Sequence, residues 1–248
     1  MNIFEKIMLY RHALNKIVDQ LQPTVVKKKS ARNYWQSKIY SKYRNEHNLD
    51  KGHKFEKAQQ ILGKKLDLNK INSVLEFGCN RPLNLSFLAK QTNFEKLIGI
   101  DISKNVFLET EILKKNNYTP ILGDFNELYK LRDNSIDLSF TWSVLDHIPD
   151  KTEIKNIIKN LIRISKVYCM FVEPYIEGVE VDASLKSRKE INKNLIKPRK
   201  IFHKFSYFWD YKKIFSDMEQ DFICYDLPLH SNSLGPFYKI FFIKKDFK

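Results

Sequence analysis

Residues 74–80 read Val-Leu-Glu-Phe-Gly-Cys-Asn, a short apolar run that breaks into a turn and continues through Arg81 and Pro82 into the helical pattern of Leu85 to Lys90. Gly78 lets the backbone turn sharply and approach a ligand with no Cβ in the way. Asn80 can take a left-handed conformation in place of a second glycine, and Pro82 suits the first turn of the following helix. The unit is therefore strand, tight turn, helix. Similar runs follow it along the chain. Leu97 to Ile100 ends at Asp101, Thr119 to Leu122 runs into Gly123-Asp124, Ile136 to Phe140 runs into Thr141-Trp142, and Val167 to Val172 ends at Glu173. Helical patterns over Lys104 to Asn116 and Thr152 to Ser165 separate them. Short apolar strands alternating with helices imply an α/β fold, a doubly wound, Rossmann-like and mostly parallel sheet with helices on both faces.

Outward from this middle third the pattern changes. Apolar residues recur at helical spacing over residues 3–21, again with Tyr34, Trp35, Ile39, Tyr40 and Tyr43, and over about 53–66 with Phe55, Ala58, Ile61, Leu62 and Leu66. Residues 1–70 thus form an N-terminal helical extension, expected to close over the site, ahead of a core at 71–248. The stretch from about 174 to 215 is polar and basic and reads as a lid-like insertion. Two last strands follow, Phe222 to Tyr225 and Phe237 to Ile243.

Composition narrows the class. With 248 residues, 43% apolar, 18 Phe and 12 Tyr, the chain can bury one large core plus an appendage. There is no run of eighteen apolar residues, and Glu5, Lys6 and Arg11 break any signal-peptide core. The widely spaced Cys79, Cys169 and Cys224 fit reduced thiols in a cytoplasm. No Cys/His cluster and no pair of acids has metal-site spacing. The net charge of +14 comes from 35 Lys and only 8 Arg, scattered among many Asn and Ile. Arg is the residue that reads phosphate with a planar fork, so a compositional bias outweighs an anionic or nucleic-acid partner as the explanation.

In an open parallel sheet, ligands bind beyond the carboxyl ends of the strands. Read in order, those positions are Gly78, Asp101, Asp124, Trp142 to His147, and Glu173. A dinucleotide site wants G-x-G-x-x-G beneath a pyrophosphate. The later glycines are absent here, which disfavours a nicotinamide or flavin oxidoreductase. Asp101 lies about 25 residues beyond Glu76, where a carboxylate can accept from both hydroxyls of a ribose. Asp124 can accept from an adenine amino group while the Phe125 amide donates to the ring. Either aspartate alone commonly just starts a turn or helix; the pair in register with strand ends is the informative pattern.

The segments VLEFGCN, IGIDIS, ILGDF and SIDLSFTWSVLDHI resemble the successive motifs of class I S-adenosylmethionine-dependent methyltransferases over about residues 70–175. The resemblance implies a seven-stranded sheet whose last strand runs antiparallel, and S-adenosylmethionine as cofactor. Carried over by position, it implies Glu76 and Gly78 near the methionine part, Asp101 on the ribose and Asp124 by the adenine. The candidate cofactor-binding residues are Glu76, Gly78, Asn80, Asp101, Ile102, Asp124, Phe125 and Trp142. Asn80 and Pro82 replace glycines usual in that family.

On the acceptor side, a base helps where a hydroxyl or ammonium must lose a proton. His147 and Glu173 are the catalytic candidates, although His147 also suits a structural place. Substrate candidates are Tyr34 and Trp35 of the extension, His203 within an aromatic stretch, and His230. For Tyr34, Trp35 and His203, packing is the competing explanation. The lid-like insertion and the N-terminal helices suggest a closed pocket and methyl transfer to oxygen or nitrogen of a small molecule; the resemblance to compact, Lys- and Asn-rich relatives implies a sugar or phosphorylated precursor of a bacterial surface polysaccharide. Rival expectations are an RNA or protein methyltransferase and a non-catalytic cofactor-binding protein.

Overall fold

The computed structural model describes residues 24–36, 52–107, 111–175, 177, 181–182, 207–228 and 238–245. Seven strands form one sheet in the order β3-β2-β1-β4-β5-β9-β8. They are β1 (Ser73–Phe77), β2 (Lys96–Asp101), β3 (Tyr118–Leu122), β4 (Ile136–Trp142), β5 (Ser165–Pro174), β8 (Ile223–Leu227) and β9 (Tyr238–Lys244). The pairs from β3 through β5 are parallel, and β9 runs antiparallel to both β5 and β8. This is the seven-stranded, mostly parallel arrangement expected. Two short strands, β6 (Val181–Asp182) and β7 (Tyr207–Phe208), pair separately.

Helices cover both faces, so central strands are apolar on both sides. Every residue of β4 is buried. Neighbouring positions of one strand feed opposite cores, because side chains alternate across a sheet. Val74 joins the core beneath α2 (Gly52–Leu62) and α3 (Leu83–Ala89), with Phe55, Ala58, Leu62, Leu85 and Leu88. Leu75 and Phe77 join the opposite core, beneath α6 (Lys151–Ile164). That helix buries Ile154, Ile157, Ile158, Leu161 and Ile164, each contributing roughly 1.5–3 kcal/mol on leaving water. Its ends are well closed. The Asp150 carboxylate accepts from the Thr152 amide at 2.8 Å, and Arg163 in the last turn donates to the Leu128 and Leu131 carbonyls.

Edges differ as expected for strands lacking a second neighbour. β3 mixes half-buried and exposed residues and accommodates Pro120, whose missing N–H is tolerated on an edge strand. At the amino ends of β1 and β4, buried Asp137 accepts from the Asn72 amide at 2.9 Å, the Ser73 amide at 3.0 Å and the Ser73 hydroxyl at 2.9 Å. A buried carboxylate so satisfied fixes the two strands in register.

The helical extension is described in two pieces, α1 (Thr24–Gln36) and α2. Residues 3–21 and 37–51 lie outside the described residues. The pattern over 53–66 gives α2, then a 3-10 turn at Gly63–Lys65, because Gly63 adopts φ +50° and ends the helix. The stretch Lys104 to Asn116 gives a 3-10 turn (Lys104–Phe107) and a short α4 (Glu111–Lys115). A further short helix, α5 (Asn126–Tyr129), follows β3. Of the stretch 174–215, read from sequence as an insertion, residues 176, 178–180 and 183–206 lie outside the described residues. Helix α7 (Tyr211–Ser216) packs Tyr211, Ile214 and Phe215 into the core against Phe171 and Phe241.

Candidate active site

The turns after β1, β2, β3 and β4 open onto one cavity of about 530 Å³ at the carboxyl edge of the sheet. Its wall includes Glu76, Gly78, Asn80, Asp101, Ile102, Asp124, Phe125, Trp142 and His147. The glycine turn and the two aspartates therefore converge on a single cleft.

The local chemistry explains the convergence. Gly78 sits at φ +74°, and a Cβ there would fall 2.3 Å from a methyl of Val144. Only glycine lets the first turn pass so near the loop after β4. Its amide and that of Cys79 both donate to the Ile100 carbonyl of β2. Asn80 follows at φ +47°, a left-handed conformation that asparagine tolerates, and its side-chain oxygen accepts from Asn105 Nδ2 at 2.8 Å. Asp101 then ties two turns together. Its Oδ2 accepts from the Asn80 amide and its Oδ1 from the Ser103 amide, each at 2.7 Å. Glu76 is 2% exposed and accepts from Asn84 Nδ2 at 2.6 Å. Cys79, buried behind this turn, has its thiol pushed well up, by burial first and then by Asp101 and Glu76.

Three cationic or aromatic residues reach the cavity from α1. Arg32 pairs with Asp124 at 2.8 Å. Trp35 lies over the His147 ring, with centroids 3.9 Å apart and planes tilted by 36°. Lys29 also reaches the wall. Ala31 and Tyr34 rest against Tyr207 and Trp209. Among the sequence candidates, Trp35 lines the cavity, whereas Tyr34 packs edge-on to Trp35 at 5.1 Å and is absent from the wall. Tyr34 is thus a packing residue, because it turns to the Tyr207 side of α1. His203 and His230 lie outside the described residues.

His147 sits in a 3-10 turn after β4, with Nδ1 3.5 Å from Asp146 Oδ2. Glu173 does not face the cavity, contrary to the expectation from sequence. β5 runs on through Pro174, paired with Tyr238 of β9, so Glu173 is inside the strand and fully buried. Its carboxyl accepts from Thr141 Oγ1 at 2.8 Å and from the Val144 amide at 3.1 and 3.2 Å. Burial, and then the nearby Asp146 carboxylate, push it up to about 8. Glu173 holds the loop after β4 from beneath. Sequence reasoning also missed Arg32, Arg81, Asn84 and Ser103 on the wall. The spacing of Arg32 and Trp35, one helical turn apart on one face, is a signal for the first; Arg81 stands plainly in the turn itself.

Residues 75–170 match the family described as a methyltransferase domain. No curated protein matches the chain in sequence. Among solved structures it is similar to magnesium protoporphyrin IX methyltransferase from Synechocystis PCC 6803 with bound SAH, at 16% identity and TM-score 0.59, covering 89% of this chain and 100% of that one. It is also similar to an S-adenosylmethionine-dependent methyltransferase from Archaeoglobus fulgidus, at 16% identity and TM-score 0.51, covering 84% and 100%. A third, from Aquifex aeolicus, has 15% identity and TM-score 0.50, covering 82% and 96%. At these identities the structural likeness is one of fold, and the matched segment from β1 into β5 supplies the activity class. The chain thus carries a match to a methyltransferase domain over residues 75–170, on the fold shared by S-adenosylmethionine-dependent methyltransferases of known structure.

Proposed function

We propose that the chain transfers a methyl group from S-adenosylmethionine to an oxygen or nitrogen of a small molecule, a sugar or phosphorylated precursor of a surface polysaccharide being the substrate class we favour. The observation that carries this reading is the coverage of the cleft by α1, where Trp35 lies 3.9 Å from the ring of His147. A covered cavity suits a compact acceptor better than a nucleic-acid strand, which needs an open, basic groove. Lys29 on the wall favours an acceptor with anionic character. No helix among the described residues is long and apolar enough to cross a membrane; we place the reaction in the cytoplasm.

In this reading Asp101 and Ile102 flank the ribose, Asp124 and Phe125 the adenine, and Glu76, Gly78 and Asn80 the methionine part, with Trp142 at the floor. The fit rests on one cavity spanning all four turns, which Gly78 permits by letting the turn after β1 lie against Val144 of the turn after β4. The sulfonium supplies an already activated methyl group, so the protein has to align an acceptor and exclude water. Trp35 excludes water above His147. Asp146 lies 3.5 Å from Nδ1 of His147, and His147 takes the acceptor's proton as general base. Helix α1 closes the cofactor side of the cleft through Arg32 and Trp35.

The test is incubation with methyl-labelled S-adenosylmethionine and two acceptor sets: sugars, sugar phosphates and nucleotide sugars, against total RNA and protein. Label in low-mass products, insensitive to salt, supports the reading. The net charge of +14 favours one rival, an RNA methyltransferase. Label confined to RNA, with activity falling steeply as salt rises, overturns our reading in its favour. Cofactor binding with no product from either set leaves a non-catalytic binding protein.

A further inference from the structure

The turn after β1 offers an anion almost no backbone donors. The amides of Gly78 and Cys79 are taken by the Ile100 carbonyl, that of Asn80 by Asp101, and that of Leu83 by the Arg81 carbonyl. Pro82 has none. Five of the six positions from 78 to 83 therefore lack a free amide, in a place where a glycine-rich turn would present several. Any carboxylate held here needs a side chain.

Arg81 is that side chain. It stands at the centre of the turn and lines the cavity together with Glu76 and Asn84. Its Nε is shielded from solvent and makes no hydrogen bond, and its guanidinium has no ion-pair partner among the described residues. A shielded guanidinium nitrogen left without an acceptor is costly, and a bound anion removes that cost. On the same wall Glu76 is buried and steadied by Asn84 at 2.6 Å. The two residues bring one positive and one negative side chain to the same cavity wall, which matches the zwitterionic end of an amino acid.

Resting on the cofactor assignment above, we infer that Arg81 binds the carboxylate of the cofactor's methionine moiety, with Glu76 facing its ammonium group. Arg81 thereby replaces the backbone donors that Asn80 and Pro82 remove. The assignment makes this chain selective for the carboxylate itself, a selectivity that a turn of spent amides could not provide.

Calorimetry on the full chain separates the possibilities, with S-adenosylmethionine and its decarboxylated form, which keeps the adenosine, sulfonium and ammonium, as probes. Wild type should bind the decarboxylated form about tenfold to a hundredfold more weakly. Arg81→Met should lose a similar factor for S-adenosylmethionine and little for the decarboxylated form, so that the preference disappears. Arg81→Lys, retaining a charge without the planar fork, should recover part of it. Equal losses for both probes, or no loss for either, in variants that melt like wild type, overturn the role of Arg81 while leaving the cofactor assignment intact. Wild type that binds neither probe overturns the cofactor assignment, and this inference with it.

Discussion

The guanidinium of Arg32 and the carboxylate of Asp124 meet at 2.8 Å, joining α1 to the turn after β3 across a cavity whose wall both residues form. The Arg32 side chain is 52% exposed, so the pair is solvent-screened and worth only about 0.2–1 kcal/mol. Trp35, on the same helix face, buries an aromatic ring against His147. The two anchors should therefore differ in weight. Arg32→Ala is expected to raise the release rate of S-adenosylhomocysteine by less than about fivefold. Trp35→Ala, losing roughly 1–3 kcal/mol of packing, should raise it about tenfold or more. Stopped-flow release measurements decide it, and equal, small effects would mean that α1 does not cover the bound cofactor.

Asp101 carries two tasks through one carboxylate. Its oxygens accept the Asn80 and Ser103 amides at 2.7 Å, so they shape the turn before any ligand arrives. The proposed ribose contact uses the remaining lone pairs, since each carboxylate oxygen can accept more than once. Asp101→Asn replaces one acceptor oxygen by a donor that faces an amide. Affinity for S-adenosylhomocysteine should drop by about 1–3 kcal/mol by calorimetry. Unchanged affinity would remove Asp101 from the cofactor site.

Much of the site is legible in the sequence because of where residues stand relative to apolar runs. Gly78, Asp101 and Asp124 each follow a run long enough to be a buried strand, and strand direction alone carries them to one edge of the sheet. Glu173 misleads for a reason internal to the sheet. Pairing of Pro174 with Tyr238 lengthens β5, and a residue that reads as lying past the strand end becomes a buried part of it. Helix α7 is missed because Lys212 and Lys213 give Tyr211–Ser216 a polar look, although Tyr211, Ile214 and Phe215 are buried at helical spacing. The spacing of Arg32 and Trp35 puts them on one face of α1, but that this face meets the cavity is a tertiary fact that periodicity cannot supply.

Gly78 offers a purely steric prediction. At φ +74° an added Cβ would lie 2.3 and 2.7 Å from the two methyls of Val144. Gly78→Ala combines left-handed strain with a clash, and should destabilise the fold by about 1–3 kcal/mol in urea titration. Pairing it with Val144→Ala removes the clash and leaves the strain, so the double variant should recover part of the stability lost. Strictly additive losses would show that the two side chains do not meet.

Glu173 predicts how stability depends on pH. Burial and then Asp146 raise its carboxyl from 4.5 to about 8 in the fold. The folded state therefore holds this proton more tightly than the unfolded chain does. The group's contribution is complete below pH 4.5 and is lost as the pH climbs through 8, where a buried carboxylate must ionise beside Asp146. Glu173→Gln copies the protonated form and keeps an acceptor for Thr141 Oγ1 and the Val144 amide. Urea titrations at pH 5, 7 and 9 should show the variant near wild type at pH 5 and more stable by about 1–3 kcal/mol at pH 9. His147 enters as a second check, because it hangs from the loop that Glu173 supports. The variant should retain methyl transfer at pH 7, since Glu173 supports this loop without facing the cavity. Parallel stability curves for the two proteins from pH 5 to 9 would mean that Glu173 is ionised throughout, and a loss of activity with intact stability would return it to the chemistry.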